Sequence, residues 1–177
     1  MFGRGTFGGV YTQSENDDVP KDGEHWSRKP LPSLTERDYR IMREDLDIVV
    51  RSGKVPPPIR SWDESNLPKE LVSTLKSLNY KTPMQIQYQA IPVGLMKQDM
   101  IATAPTGSGK TLAYLIPLIK YLSELPEMTL DMAENGPRSI ILSPTRELAI
   151  QIGEDFHSLC TGFVDFRFSI IVGGVLQ

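Results

Sequence analysis

The sequence predicts an α/β fold, in which a parallel sheet carries helices on both faces and follows a largely extended N-terminal segment. Three short segments interpreted as strands alternate with helical patterns, at residues 99–104, 139–143 and 166–172. Their apolar runs are continuous rather than alternating, which is typical of parallel strands covered on both faces. A glycine-rich loop between the first strand and the next helix favours the same architecture.

That loop predicts a phosphate-binding site. Its residues are Ala104, Pro105, Thr106, Gly107, Ser108, Gly109, Lys110 and Thr111. Glycines let the backbone curl and aim N–H groups at an anion, and the N-terminus of the following helix adds positive potential. Lys110 is placed to reach the β- and γ-phosphates of a nucleotide, and Thr111 offers a hydroxyl to Mg²⁺. Ala104 stands where the general pattern has glycine, and the alternative interpretation is a Gly-Ser-rich turn before a core helix.

The composition favours one intracellular domain. The 177 residues are 40% hydrophobic and carry a formal charge of −3, so contact with nucleic acid must come from a local surface. The single Cys160 has no internal disulfide partner, and its place on an apolar helix face favours a core position over a nucleophile. No apolar run approaches the ~20 residues of a membrane span, so we expect a soluble protein with no membrane partner.

Residue patterns divide the chain into three regions. Residues 1–34 are rich in glycine, proline and polar residues and are predicted to form a flexible tail. Residues 35–61 form an extension with a short amphipathic helix over 35–49, capped by Thr35, and then a proline-rich strap. Residues 62–177 form the main domain.

The main domain has recognisable helix signals. We expect helices that begin at Pro68 and after Pro83, the latter interrupted near Pro92, and helices over 110–122 and 146–159. The last of these follows an apolar strand directly.

Four motifs, in order along the chain, together resemble those of the DEAD-box RNA helicases. They are the cluster 80–87, the loop 104–111, the Pro-Thr-Arg-Glu-Leu-Ala block at 144–149 and the pair Gly173 and Gly174. The resemblance implies that residues 62–177 are the N-terminal part of the first RecA-like, ATP-binding domain, with a partial parallel sheet. It also implies ATP-dependent unwinding of RNA, with ATP and Mg²⁺ as ligands.

Within residues 62–88, the resemblance assigns adenine recognition to Gln87, with aromatic surface from Trp62 and Tyr80. A carboxamide offers a donor and an acceptor that match adenine N7 and N6, whereas guanine presents two acceptors there. Core packing is the alternative interpretation of the two aromatic residues.

The resemblance implies RNA contacts at Pro144, Thr145 and Arg146, and at Gly173 and Gly174. Thr145 can cap a helix whose first N–H groups, with Arg146, then face an RNA phosphate. The glycine pair would let the sugar-phosphate backbone approach closely. Recognition of this kind is independent of base sequence. A well-capped helix with a surface arginine is the alternative.

The N-terminal extension is similar to that of a spliceosomal branch of the family. The matching residues are 25–27, 29, 35–41 and 43–45, followed by 53–56 and 58–62. This similarity implies a nuclear protein in mRNA splicing, with RNA as one partner and spliceosomal proteins as partners of the extension.

The sequence contains no Asp-Glu-Ala-Asp motif, no Ser-Ala-Thr motif and no second domain with arginine fingers. We therefore expect a fragment that binds ATP and RNA but holds no complete catalytic set and hydrolyses no ATP alone. A non-catalytic nucleotide-binding or interaction module is the alternative. Gln87 and the block at 144–149 argue against a third interpretation, an unrelated phosphate-loop ATPase or kinase.

Overall fold

The computed structural model describes residues 25–51, 53–163 and 166–174. Its α-helices are α1 (Glu36–Asp45), α2 (Lys69–Ser77), α3 (Gln85–Leu95), α4 (Lys110–Ser123), α5 (Leu130–Ala133) and α6 (Arg146–Leu159). Short 3-10 helices lie at Leu31–Ser33, Trp62–Glu64 and Cys160–Gly162. None of the helices in these ranges has the length and apolar character needed to cross a membrane.

The parallel sheet is the part of the predicted fold that is not observed in the described residues. The three segments predicted as strands, 99–104, 139–143 and 166–172, have no strand assignment. Side chains that a covered sheet would bury are exposed: Ile101 by 99% and Leu142 by 90%. A strand needs the N–H and C=O groups of a neighbour, and the described part of these segments forms no ladder. The apolar runs predict that these segments are buried in a sheet, but the described residues do not cover them.

The core lies between α2, α3, α4 and α6. Its fully buried aliphatic side chains include Leu71, Leu75, Ile91, Leu115, Ile116, Ile119 and Leu159. α3 and α4 cross closely because Gly94 has no side chain: a Cβ there would lie 2.7 Å from the ring of Pro117. Cys160 belongs to this core, as predicted, and burial raises the pKa of its thiol to about 12. The thiol is therefore neutral at physiological pH and unsuited to act as a nucleophile.

α3 runs without interruption through Pro92, where the sequence predicts a break. A proline lacks the N–H that would bond to the carbonyl four residues earlier, here the carbonyl of Tyr88. The N–H of Ile59 donates to that carbonyl instead, at 2.9 Å. The last residue of the proline-rich strap thus supplies the hydrogen bond that the Tyr88 carbonyl would otherwise lack, and the helix continues to Leu95.

α1 begins as predicted, with Thr35 as its cap. The Thr35 side chain accepts from the Asp38 N–H, and the Asp38 carboxylate accepts from the Thr35 N–H. Lys29 Nζ donates to the other Asp38 oxygen at 2.9 Å, and this bond, with those from Thr35, lowers the pKa of Asp38 to about 2. The helix ends at Asp45, before the predicted end at residue 49, because the chain turns at Asp47 with a φ of 51°.

The predicted flexible tail differs from the structure in its last part. Residues 1–24 lie outside the described residues, whereas residues 25–34 make polar contacts with the extension. Arg60 donates to the carbonyl oxygens of Trp26 at 2.9 Å and Lys29 at 2.6 Å, and it pairs with Glu64 at 2.6 Å. These bonds order the segment through a largely buried guanidinium rather than an apolar face, which composition does not reveal.

We expect Gly94→Ala to destabilise the protein by about 1–3 kcal/mol, because the added methyl overlaps the Pro117 ring. Alanine by itself favours a helix by about 1 kcal/mol over glycine, so the sign of the effect tests the close crossing. Gly173→Ala is the control for an added methyl in open space, since a Cβ there meets nothing within 4 Å. Urea unfolding followed by circular dichroism measures both variants, and equal midpoints would contradict the crossing.

Candidate functional site

The glycine loop at 104–111 leads directly into the first turn of α4. Gly107 and Gly109 have φ angles of 79° and 81°, in the left-handed region that residues with a Cβ rarely occupy. Gly109 is also the N-cap of α4. The loop therefore adjoins the positive end of a helix of fourteen residues, 110–123, as an anion-binding loop requires.

The ammonium group of Lys110 folds back onto the loop. Its Nζ donates to the carbonyl oxygens of Ala104 and Pro105, at 2.6 and 2.7 Å. The hydroxyl of Ser108 is buried and has no hydrogen-bond partner among the described residues. An anionic ligand would pair the cation with a charge and satisfy the hydroxyl, so both groups fit a phosphate.

Gln87 joins α3 to this loop. Its side chain is 2% exposed; Oε1 accepts from the Met84 N–H at 2.8 Å, and Nε2 donates to the Gly109 carbonyl at 2.9 Å. The structure thus brings the predicted adenine-reading residue against the predicted phosphate-binding loop. The link to Gly109 is a contact that motif spacing does not predict.

The two predicted aromatic residues take different positions. Trp62 is 1% exposed and lies in the core, where its Nε1 donates to the Tyr80 carbonyl at 2.7 Å. Tyr80 is half-buried at the edge of the core. Trp62 packs in the core in this structure, and its ring nitrogen fixes the backbone of Tyr80, so a contact of Trp62 with a base stays a prediction.

Thr111 lies in the first turn of α4, three residues before Tyr114. Burial raises the pKa of Tyr114, the Asp155 carboxylate raises it further, and a bond with the Thr111 side chain acts in the opposite direction. Burial also raises the pKa of Asp155 itself. Sequence reasoning missed this grouping: the three-residue spacing on one helix could have indicated Tyr114, but the approach of α6 is a tertiary contact.

The residues predicted to contact RNA lie at an exposed start of α6. Thr145 caps the helix, its hydroxyl accepting from the Leu148 N–H at 3.2 Å. Arg146, the first helical residue, donates from Nη2 to the Gly173 carbonyl. Gly174 has a φ of 79°, and a Cβ there would lie 2.9 Å from Arg146 Nη2. The structure therefore brings Arg146 and the glycine pair together, with Pro144 exposed just before the cap.

The family comparison agrees with the class of site just described. Residues 84–177, more than half of the chain, match the DEAD/DEAH box helicase family, and the chain belongs to this family. It is 44% identical over 150 residues to the ATP-dependent RNA helicase ddx23 of Dictyostelium discoideum, covering 85% of this chain and 18% of that protein. It is 45% identical over 152 residues to the pre-mRNA-splicing ATP-dependent RNA helicase PRP28 of Gibberella zeae, covering 86% and 21%.

A solved structure gives the fold. The RNA helicase Prp28 from Chaetomium thermophilum, bound to ADP, aligns with a TM-score of 0.73 and 40% identity, over 85% of this chain and 36% of that one. The chain thus has the RecA-like fold of DEAD-box helicases, and the predicted spliceosomal branch, that of Prp28 and ddx23, is confirmed. The chain spans about a fifth of the length of these curated relatives, 18% and 21%.

We expect Gly109→Ala to destabilise the protein more than Gly107→Ala does. Both changes place a side chain at positive φ, which costs about 1–2 kcal/mol. Only at position 109 does the new Cβ also meet neighbours, 2.4 Å from Gln87 Nε2 and 2.7 Å from Met84 Sδ, whereas at 107 it meets nothing within 4 Å. The added overlap should cost a further 1 kcal/mol or so, measured by thermal unfolding. The same Tm for both variants would contradict the contact between Gln87 and the loop.

Proposed function

We propose that this chain is the ATP- and RNA-binding part of a Prp28-type ATP-dependent RNA helicase, which unwinds RNA in the nucleus during pre-mRNA splicing. The observation that carries the proposal is the hydrogen bond from Gln87 Nε2 to the Gly109 carbonyl, because it joins a base-reading carboxamide to a phosphate-binding loop in one site. Membership of the family and the similarity to Prp28 and ddx23 support it.

The loop would hold the phosphates of ATP. Lys110 would exchange the carbonyl oxygens of Ala104 and Pro105 for oxygens of the β- and γ-phosphates. The Ser108 hydroxyl would gain the hydrogen-bond partner that it lacks. Thr111 would offer its hydroxyl to Mg²⁺, which neutralises part of the phosphate charge when bound.

Gln87 would read the base. Its amide is oriented by the Met84 N–H and the Gly109 carbonyl, and the second N–H of Nε2 and the second lone pair of Oε1 would serve the base. Adenine offers the acceptor N7 and the donor N6, whereas guanine offers two acceptors. Tyr80, half-buried beside Trp62, would supply the aromatic contact. The relative from Chaetomium thermophilum that was solved with ADP supports an adenine nucleotide.

Arg146, Pro144 and Thr145 would bind the RNA backbone together with Gly173 and Gly174. The guanidinium of Arg146 is exposed and now bonded to a neutral carbonyl, that of Gly173. A phosphate is a stronger acceptor than a carbonyl, so RNA would draw the guanidinium outwards. The N-terminus of α6 adds N–H groups to the same surface.

Hydrolysis and unwinding would require groups that this sequence does not contain. Phosphoryl transfer needs a positioned water and cationic stabilisation, and an arginine finger alone contributes about 10³ to 10⁵ in rate. The sequence has no Asp-Glu-Ala-Asp motif. A non-catalytic nucleotide-binding or interaction module is the second candidate, and spliceosomal proteins would contact the extension in either case.

Binding of fluorescent ADP tests the nucleotide site. Lys110→Ala removes the ammonium group of the loop and should weaken binding at least about tenfold, because a charge-assisted bond to phosphate is lost. ADP should also bind more tightly than GDP because Gln87 matches adenine.

Lys76→Ala is the control for this experiment. Lys76 pairs with Asp63 at 2.7 Å on the surface, where such pairs contribute little to stability. The ADP affinity of this variant should therefore match that of the unchanged chain within about twofold. Equal affinity for GDP and ADP would overturn the role of Gln87, and an unchanged affinity in Lys110→Ala would overturn the role of the loop.

RNA binding should be weak, independent of base sequence and steeply dependent on salt, since few phosphates are neutralised. Arg146→Ala should reduce the slope of the log binding constant against log salt concentration by about one. It should weaken binding to all RNA sequences alike. Arg40→Ala, which removes an exposed arginine of α1, is the matched control. Filter binding across a salt series measures both, and a sequence-selective complex that survives high salt would contradict contact through the backbone.

A further inference from the structure

The extension contacts α3 on the side away from the glycine loop. Arg43 of α1 donates from Nε to Gln89 Oε1 at 2.9 Å and from Nη2 to the Pro56 carbonyl at 3.3 Å. Gln89 Nε2 donates to the same Pro56 carbonyl at 2.9 Å. Gln85 Nε2 donates to the carbonyl of Leu46, just past the end of α1, at 2.6 Å. We call the four residues Arg43, Leu46, Pro56 and Ile59 the extension clamp.

A further bond places the clamp on the helix backbone as well. The Ile59 N–H donates to the Tyr88 carbonyl, which Pro92 leaves without a helical partner. Gln85, Tyr88 and Gln89 therefore hold the extension over the first two turns of α3. This is the stretch that carries Gln87.

Gln87 lies on the opposite side of the same helix. Residues 85 and 89 are one turn apart and share a face, whereas residue 87 is rotated by about 200° from either. That other face bonds to Met84 and to the Gly109 carbonyl of the loop. The start of α3 is thus held from both sides, by the extension clamp on one and by the loop on the other.

We propose that the extension clamp positions α3 for nucleotide recognition, with Arg43 as a positioning residue that acts on Gln87 through Gln89. The inference rests on the proposed function, because it concerns the regulation of the same nucleotide site.

The physical basis is the burial of Gln89. This side chain is 8% exposed, and Arg43 and Pro56 satisfy both ends of its amide. Loss of Arg43 leaves a buried amide oxygen without its charged donor, which is unfavourable unless α3 shifts or turns. A shift of the helix displaces Gln87 from Gly109 and from the base. Such a displacement should weaken adenine recognition, which needs two directional hydrogen bonds from Gln87, more than phosphate binding, which uses the loop rather than α3.

The position of α1 is fixed independently of this contact. Lys29 bonds to Asp38 at 2.9 Å, and the Thr35 cap closes the first turn of α1. A clamp variant should therefore release α3 without unfolding α1. A partner that binds the extension and moves α1 would act on the nucleotide site by the same route.

The test compares fluorescent ADP and GDP binding to the full chain and to three variants. Arg43→Ala should weaken ADP binding about 3- to 10-fold, the range expected for coupling through a contiguous network, with a smaller change for GDP. The ratio of the two affinities should therefore fall. A merely structural loss would weaken both nucleotides alike.

Gln85→Ala is the second variant. Its side chain is exposed, so the change should not affect folding, yet it removes the bond between α3 and the Leu46 carbonyl. This variant should also lower the ratio of ADP affinity to GDP affinity. It decides the outcome if Arg43→Ala does not fold, as judged by circular dichroism.

Arg40→Ala is the control on the same helix. Arg40 faces solvent and lies 3.9 Å from Glu44, and both side chains are largely exposed. The Arg40→Ala variant should therefore have the same ratio of ADP to GDP affinity as the unchanged chain. If the unchanged chain binds ADP through Lys110 but Gln85→Ala and a folded Arg43→Ala both keep its ratio, the clamp is overturned and the proposed function stands. If the unchanged chain binds no nucleotide in a Lys110-dependent way, both are overturned.

Discussion

The bond between the Gln87 side chain and the Gly109 backbone is the contact on which the proposed nucleotide site depends. Gln87 is 2% exposed and both ends of its amide are bonded, so removal of either partner leaves a buried polar atom unsatisfied. The bond joins the starts of α3 and α4, and about two turns later the same helices meet again where Gly94 contacts Pro117. Two fixed points on each helix set their relative position, so the shape of the loop follows from the packing of the helices behind it.

The helices could be predicted from the sequence because their signals are local. α6 spans Arg146–Leu159 as predicted, and α1 begins at its predicted cap, Thr35, since a capping side chain and an apolar face lie within a few residues of each other. The strands could not be predicted in the same way. An apolar run such as 140–142 shows a tendency to be buried, but a ladder also needs a neighbour at the right distance, and the described residues give these runs none.

Motif resemblance assigned Gln87 and Lys110 to a nucleotide site and Arg146 to an RNA contact, and these assignments stay predictions. The structure does bring Gln87 against the loop that carries Lys110. The resemblance gave no sign that Lys110 would bond to its own loop, and it left core packing of Trp62 as an alternative, because these contacts depend on which neutral acceptors and apolar neighbours are nearest in the fold. A residue type fixes what a group can bind, whereas the tertiary structure fixes what it does bind.

Pro92 shows how a residue that breaks a local rule can serve the tertiary structure. By removing one helical bond it frees the Tyr88 carbonyl, and that carbonyl accepts the Ile59 N–H. The extension is therefore bonded to the backbone of α3 as well as to side chains such as Gln89. If residues 56–59 came away, the Tyr88 carbonyl would lose its hydrogen-bond partner, so the ordered extension and this helix stabilise each other. A ligand held by Gln87 would then, by mass action, also favour the ordered extension, because it binds only the arrangement in which the helix is intact.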